Sequence, residues 1–419
     1  MALFSYYQYL RSNVILVACT AMWLLWAFYS NPCATIEDTE DSAGMVKIVT
    51  LTTEKTDHYQ IFFFQFDSLR QPATNGVTFT NNSVTIAIHG SPNNLHYLPG
   101  LVERWTGPIS VAVISIPAEF QMTLSFIHRL AECYPDISRR VRFQLAQPIH
   151  TSSNITVPSF NRSIAISCRS LHESLQAQFN STKNFAQTSL PFPNNFLRNL
   201  ARSDAMTNYI LSVDMDVLPS VGLYSQTAKF LKRWGGLKNL KKTALVLPIF
   251  ESEEKGRDIP QAKRDLIVAI PQGAVRDYHI LDCPKCHSPT NSMAGGYWTR
   301  SAQARNTVSV VYTVNYDDLW IPSEVTTWEP FVITHKSSPF YDERFYQFGF
   351  DRISYTCELN MAGFQFDVLH PGFLIHQGLK FLTDLTPEKI AENATNFKIY
   401  QRLVGELKLK YPFSEGKCL

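Results

Sequence analysis

The 419-residue chain carries almost no net charge, since 38 Lys and Arg against 36 Asp and Glu leave a formal +2 at pH 7. No field is available to gather nucleic acid or an anionic surface, so no nucleic-acid partner is expected and specificity must reside in a local site. No internal repeat is visible, which sets repeat architectures aside. Charge is missing altogether from Ser12 to Ile36, and within that stretch Val14 to Tyr29 is an apolar run, close to the ~20 residues a helix needs to cross a bilayer. Arg11 precedes the run, and Glu37, Asp38, Glu40 and Asp41 follow it. The positive-inside rule then leaves the N-terminus in the cytosol and sends the rest into the lumen. A convincing A-x-A site is also lacking, which favours a retained anchor over a cleaved signal peptide. The expected organisation is a cytosolic tail (1–13), a transmembrane signal-anchor (14–30), a short polar, acidic stem (31–45) and one lumenal domain (46–419).

Cysteine is sparse. Eight are present, and the pair Cys283-Pro284-Lys285-Cys286 has no second C-x-x-C to complete a zinc site, so structural disulfide bonding is expected there, with the partners unassigned. With Cys19 in the anchor, seven remain in an oxidising compartment. That odd number leaves one unpaired or intermolecular, and Cys33 beside the membrane is the candidate. Sequons at Asn81, Asn154, Asn161, Asn180 and Asn393 agree with a lumenal location.

What is present in quantity is hydrophobic sequence, 45% of the chain, enough for a sizeable core. Apolar, β-rich runs occur at Val46–Thr52, Tyr59–Phe66, Val84–His89 and Ile109–Ile116. Between the last two, Leu95, Leu98, Leu101 and Val102 keep helical spacing, although Pro99-Gly100 must break or kink any helix there. Such alternation predicts an α/β fold with a mainly parallel sheet and ligands at the carboxyl ends of its strands. Sequons and hydroxyl residues crowd Thr151 to Thr188, the composition of an exposed insertion.

The chemistry sits after the apolar strand Tyr209–Val213, where Asp214-Met215-Asp216 follows directly. In extended backbone the two carboxylates share a face. Two acids there are costly unless a cation lies between them. A hard divalent ion, Mn²⁺ or Mg²⁺, shared with a diphosphate is the natural partner.

The segments NLARSDAMTNYILSVDMDVLPS, LDCPKCHSPTN, TWEPF and YDERFYQFGFDRISYTCELNMAGFQFDVLHPGFLIHQGLK, with the closing Cys418, together resemble the β-1,4-glucuronyltransferases of glycosyltransferase family 49. That family includes the C-terminal domain of the dystroglycan-modifying enzyme LARGE. The resemblance runs from about Val84 to the C-terminus. It implies a GT-A type Rossmann-like fold, a single-pass type II Golgi topology, a UDP-sugar donor and inversion at the anomeric carbon. The implied metal set is Asp214, Asp216 and His376, with Lys380, Arg198 and Arg202 as candidates for the nucleotide diphosphate. Where the family often carries a basic residue, this chain has Gln377.

An inverting transferase needs a carboxylate to take the acceptor proton, and Asp342, Glu343 and Glu329 are the candidates in matching motifs. Asp351 occupies a position where relatives carry Asn, which argues against it as the base. Phe345, Phe348 and Phe350 read as core or as an aromatic acceptor platform. The expected reaction is transfer of glucuronic acid from UDP-glucuronate, in β linkage, to a xylose-terminated glycan on a glycoprotein. UDP-N-acetylglucosamine as donor, or a lumenal glycan-binding protein that has lost catalysis, are the alternatives. Whether the chain forms an oligomer is left open.

Overall fold

Every residue of Val84–Gly90 is buried, as a predominantly apolar run requires of a strand covered on both faces. In the computed structural model the described residues are 48–66, 79–149, 167–174, 177, 185, 188–234, 240–253, 258–287, 289–290, 298, 308–319 and 327–418. The expected anchor, the stem, Cys19, Cys33 and most of the insertion lie outside them. Among the described residues no helix is long and apolar enough to cross a membrane.

Fourteen strands run through these residues: β1 (Ile48–Lys55), β2 (Tyr59–Phe66), β3 (Val84–Gly90), β4 (Ile109–Ile114), β5 (Val141–Pro148), β6 (Tyr209–Ser212), β7 (Val217–Pro219), β8 (Thr243–Leu247), β9 (Ile249–Ser252), β10 (Val275–Asp277), β11 (Ser309–Val314), β12 (Phe331–His335), β13 (Gln365–His370) and β14 (Leu374–Gln377). Ten of them form one sheet in the order β1-β2-β5-β4-β3-β6-β12-β8-β13-β11. The stretch β5-β4-β3-β6 is parallel, and β12 joins it antiparallel. A mixed α/β sheet with a parallel centre is therefore what forms.

The chain lays down β3, β4 and β5 in one direction and then returns to place β6 on the other side of β3. The carboxyl ends of β3 and β6 thus flank a topological switch point, where open α/β sheets bind ligands. A second sheet, β10-β9-β14-β7, crosses beside it. Its antiparallel β14–β7 pairing sets His376 opposite Val217.

The crossover after β3 is built from two short helices, a 3₁₀ turn Pro92–Tyr97 and an α-helix Leu98–Arg104. Pro99 falls in the first turn of the second helix, where its missing N–H costs nothing. Leu95, Leu98, Leu101 and Val102 are all buried, each contributing about 1.5–3 kcal/mol. The helix Asn194–Ser203 turns Leu197, Leu200 and Ala201 onto the sheet. Its other positions bury Asn195, Arg198, Asn199 and Arg202. Thr386 caps the long helix Pro387–Lys410 by accepting from Lys389 N, with Pro387 in its first turn. That helix packs on Asp351–Met361 through Phe345, Ile353, Tyr400 and Leu403, and the Cys357–Cys418 disulfide closes the cluster. Cys283 and Cys286, whose partners the sequence left open, form a disulfide with each other, and Cys133 pairs with Cys168.

Candidate active site

A cavity of about 850 Å³ opens at the switch point and is lined by His89, Arg198, Asp214, Asp216, Glu329 and His376, among others. Asp214-Met215-Asp216 does not lie in extended backbone. It forms a turn between β6 and β7, closed by Val217 N donating to Asp214 O at 3.2 Å. Period-two alternation therefore does not apply, and the two carboxylates take different partners. The turn arises because Met215 is buried in the core and the chain must cross at once from the large sheet to the small one.

Asp214 accepts from Arg352 Nη2 at 2.8 Å and from Arg198 Nη2 at 3.4 Å, with His89 Nε2 at 3.9 Å. Burial alone would raise this carboxyl, but Arg352 and then Arg198 and His89 hold it well below the usual carboxylate range. Arg198 also binds Asp351, and Arg352 lies 4.2 Å from the centre of the Phe331 ring. Two guanidiniums and two carboxylates thus form one neutral network in the cavity wall.

Asp216 meets His376 Nε2 at 3.1 Å, although 160 residues separate them. His376 Nδ1–H donates to the Gly378 carbonyl at 2.8 Å. That bond leaves the Nε2 lone pair for the cavity side. Gly378 reaches this position with φ +102°, a conformation that favours glycine. Tyr278 packs on the imidazole with ring centres 5.2 Å apart. The other oxygen of Asp216, Oδ1, is buried and has no hydrogen-bond partner.

An unpartnered buried carboxylate oxygen beside an oriented imidazole nitrogen fits a divalent ion that accepts mixed O and N donors. Among the described residues no three His, Cys, Asp or Glu side chains converge as a ready metal cage. The remaining coordination would therefore come from water and diphosphate oxygens.

Of the expected nucleotide contacts, Arg198 and Lys380 line the cavity. The Lys380 backbone is fixed by Glu251, whose Oε2 accepts its N–H at 3.2 Å. Gln377 also lines the cavity and donates its backbone N–H to Asp216 O at 3.0 Å. Arg202 lies elsewhere, among Phe340, Tyr341 and Tyr355, with Nη2 donating to Ser338 Oγ at 2.8 Å.

Of the three carboxylates considered as bases, only Glu329 lines the cavity. Burial, then the charge of Asp351, pushes its carboxyl up to about 8, and its backbone N–H donates to Cys286 O at 2.8 Å. Asp342 is held by Arg344, which also binds Glu406, while exposed Glu343 accepts from Asn199 Nδ2 at 2.8 Å. Sequence reasoning did not single out Arg352, His89 or Tyr278. A basic residue on the otherwise buried Asp351–Met361 helix and a histidine closing the apolar strand β3 were the available signals.

His89 yields a testable pH dependence. Burial, then Arg198, lowers its pKa to about 3 from an unfolded value of 6.5. The unfolded chain therefore takes up a proton that the folded chain refuses, so stability is full above pH 6.5 and is lost as pH falls toward 3. Between pH 7 and 5 urea unfolding should register a loss of roughly 1–2 kcal/mol from this residue. In His89→Gln the slope with pH should be shallower, and an unchanged slope would exclude the assignment.

The profile of glycosyltransferase family 49, described as "Glycosyl-transferase for dystroglycan", matches residues 83–412. Human β-1,4-glucuronyltransferase 1 is 36% identical over 348 residues, covering 81% of this chain and 79% of that protein. The Danio rerio β-1,4-glucuronyltransferase 1 is 33% identical over 345 residues, covering 81% and 76%. Xylosyl- and glucuronyltransferase LARGE2s of Gallus gallus is 26% identical over 316 residues, covering 75% of this chain and 34% of its own length. Because the matched span holds every residue of the cavity described above, the fold, the site and the comparisons converge: the chain is a glycosyltransferase and belongs to glycosyltransferase family 49.

Proposed function

We propose that this chain transfers glucuronic acid from UDP-glucuronate, with inversion and in β linkage, to a xylose-terminated glycan on a glycoprotein, on a GT-A type sheet in the Golgi lumen. The observation that carries the chemistry is the meeting of Asp216 and His376 at the cavity, with Asp216 Oδ1 unpartnered. Similarity to the glucuronyltransferases named above supports the donor.

Asp216 and His376 would hold a divalent ion, Mn²⁺ or Mg²⁺, which supplies Lewis-acid neutralisation of the leaving diphosphate. Arg198 and Arg352 hold Asp214 ionised and in place in the cavity wall. Lys380, on the cavity wall, adds a further cation for the diphosphate. Glu329 takes the proton from the attacking acceptor hydroxyl, since it is the cavity-lining acid whose basicity has been raised. The apolar run near the N-terminus anchors the chain as a single-pass type II protein.

The test is a donor panel. Purified chain, Mn²⁺ and a xyloside acceptor are incubated with a range of UDP-sugars, and released UDP and glycan product are measured. UDP-glucuronate should be the preferred donor. Preference for UDP-N-acetylglucosamine would establish the alternative donor, and release from no donor with any acceptor would sink the proposal.

A further inference from the structure

The loop that closes one side of the cavity, Tyr346 to Phe350, is held in an unusual conformation. Gln347 has φ 58°, Gly349 φ 94° and Phe350 φ 62°. Left-handed backbone is uncommon for a glutamine and an outlier for a bulky phenylalanine. Such a segment persists only where its surroundings over-determine it.

The surroundings are specific here. Buried Asn396, on the long C-terminal helix, turns its amide nitrogen to three carbonyls, Tyr346 O at 2.8 Å, Gly349 O at 2.9 Å and Phe348 O at 3.0 Å. On the other side Gln347 N donates to Phe192 O at 2.9 Å, and Asn194 Nδ2 donates to Gln347 O. A side chain at Gly349 would be strained, because its φ is +94° and a Cβ there would lie 2.8 Å from Asn393 Oδ1 and 3.2 Å from Asn393 Cα.

Gln347, Phe348, Gly349 and Phe350 line the cavity, and Phe348 is the aromatic side chain among them that does not pack into the helix cluster beneath. Phe345 is fully buried in the core, and Phe350 packs against Phe397 and Tyr400. Phe348 is only half-buried, and the Lys389 ammonium lies 5.6 Å from its ring centre. An aromatic face with a cationic donor beside it suits a neutral pyranose, which offers C–H groups on its face and hydroxyls at its edge.

Resting on the transferase reading above, we infer that Phe348 is the stacking platform for the acceptor sugar and that Asn396 is a positioning residue which holds the strained loop in the acceptor-binding conformation. The loop carries no carboxylate or imidazole of the Asp216–His376 centre, so its disturbance should act on acceptor and not on nucleotide.

The test uses the full chain with the substitutions Asn396→Ala and Phe348→Ala. Acceptor affinity is read as the Kd of a xyloside by ligand-observed NMR and as acceptor KM, and UDP affinity by calorimetry. Both variants should weaken xyloside binding by about fivefold to tenfold, the loss expected for one aromatic contact, with UDP affinity within about twofold. In Asn396→Ala amide exchange at residues 346–350 should also accelerate. Equal losses of xyloside and UDP affinity, or a lower melting temperature with unchanged xyloside binding, would mean that Asn396 is merely structural. Should Asn396→Ala fail to fold, Phe348→Ala decides, and an unchanged xyloside Kd overturns the platform. UDP-glucuronate hydrolysis by the wild-type chain without acceptor reports the donor reading separately, so either idea can fail alone.

Discussion

Asp216→Asn should leave a folded protein that has lost transfer. The substitution keeps the shape of the side chain and removes one negative charge. It touches neither Arg198 nor Arg352, whose carboxylate is Asp214. If several kcal/mol of transition-state stabilisation pass through this carboxylate, kcat should fall by roughly a thousandfold. Mn²⁺ and UDP together should raise the wild-type melting temperature, because ligands that bind only the native state stabilise it by about 2.7 kcal/mol at a hundred times their Kd. That gain should vanish in Asp216→Asn.

Asp214→Asn should behave differently, losing stability as well as activity, since it leaves two buried guanidiniums facing a neutral amide. A third of the Asp214 side chain is exposed, so solvent screening should limit the loss to about 2 kcal/mol. His376→Ala should be milder than Asp216→Asn, because water can replace one neutral ligand. Near-normal turnover in Asp216→Asn, or full wild-type activity in a chelator, would overturn the metal-dependent mechanism.

A second large effect is expected at Glu329. Removing a general base lowers turnover by about 10²–10⁴-fold, so Glu329→Gln should lose transfer in that range while retaining UDP affinity. The pH profile gives the sign. The free carboxylate is the active form, and burial with the neighbouring Asp351 raises its pKa to about 8, so kcat/KM should rise with pH through the neutral range. Positive charge added to the cavity lowers that pKa, so with Mn²⁺ bound the inflection should fall below about 8. Glu329→Gln should flatten the profile. Retention of activity within tenfold of wild type, or a rate that falls as pH rises from 6 to 8, would return the role to another group.

The choice among the three acids illustrates what a linear motif contains. Asp342, Glu343 and Glu329 stand in equally suggestive segments, but Asp342 and Glu343 are turned to Arg344 and Asn199. Glu329 is brought to the cavity by a backbone bond to Cys286, a contact across 43 positions, the difference between 329 and 286. Arg198 and Arg202 likewise share one helix, yet only the former reaches the network around Asp214. One turn of helix moves a side chain along the axis and by about 40° around it. Which arginine meets the site is decided by what packs opposite.

Apolar continuity by itself determined the buried strands β3, β4 and β6 and hence the parallel centre of the sheet, because runs this rich in apolar side chains have no stable place except between two covered faces. The acidic pair after β6 was also legible, since two carboxylates closing a buried strand are costly without a partner, whereas the histidine of GFLIHQGLK was singled out only through the family resemblance. Only the tertiary structure decided that the acidic pair is a turn with its carboxylates divided, Asp214 to two arginines and Asp216 to His376. Local alternation assumes that a strand continues. Here the chain leaves one sheet for another across four residues, 213–216, and the partners across that corner lie on elements up to 160 residues away, where no local pattern can register them.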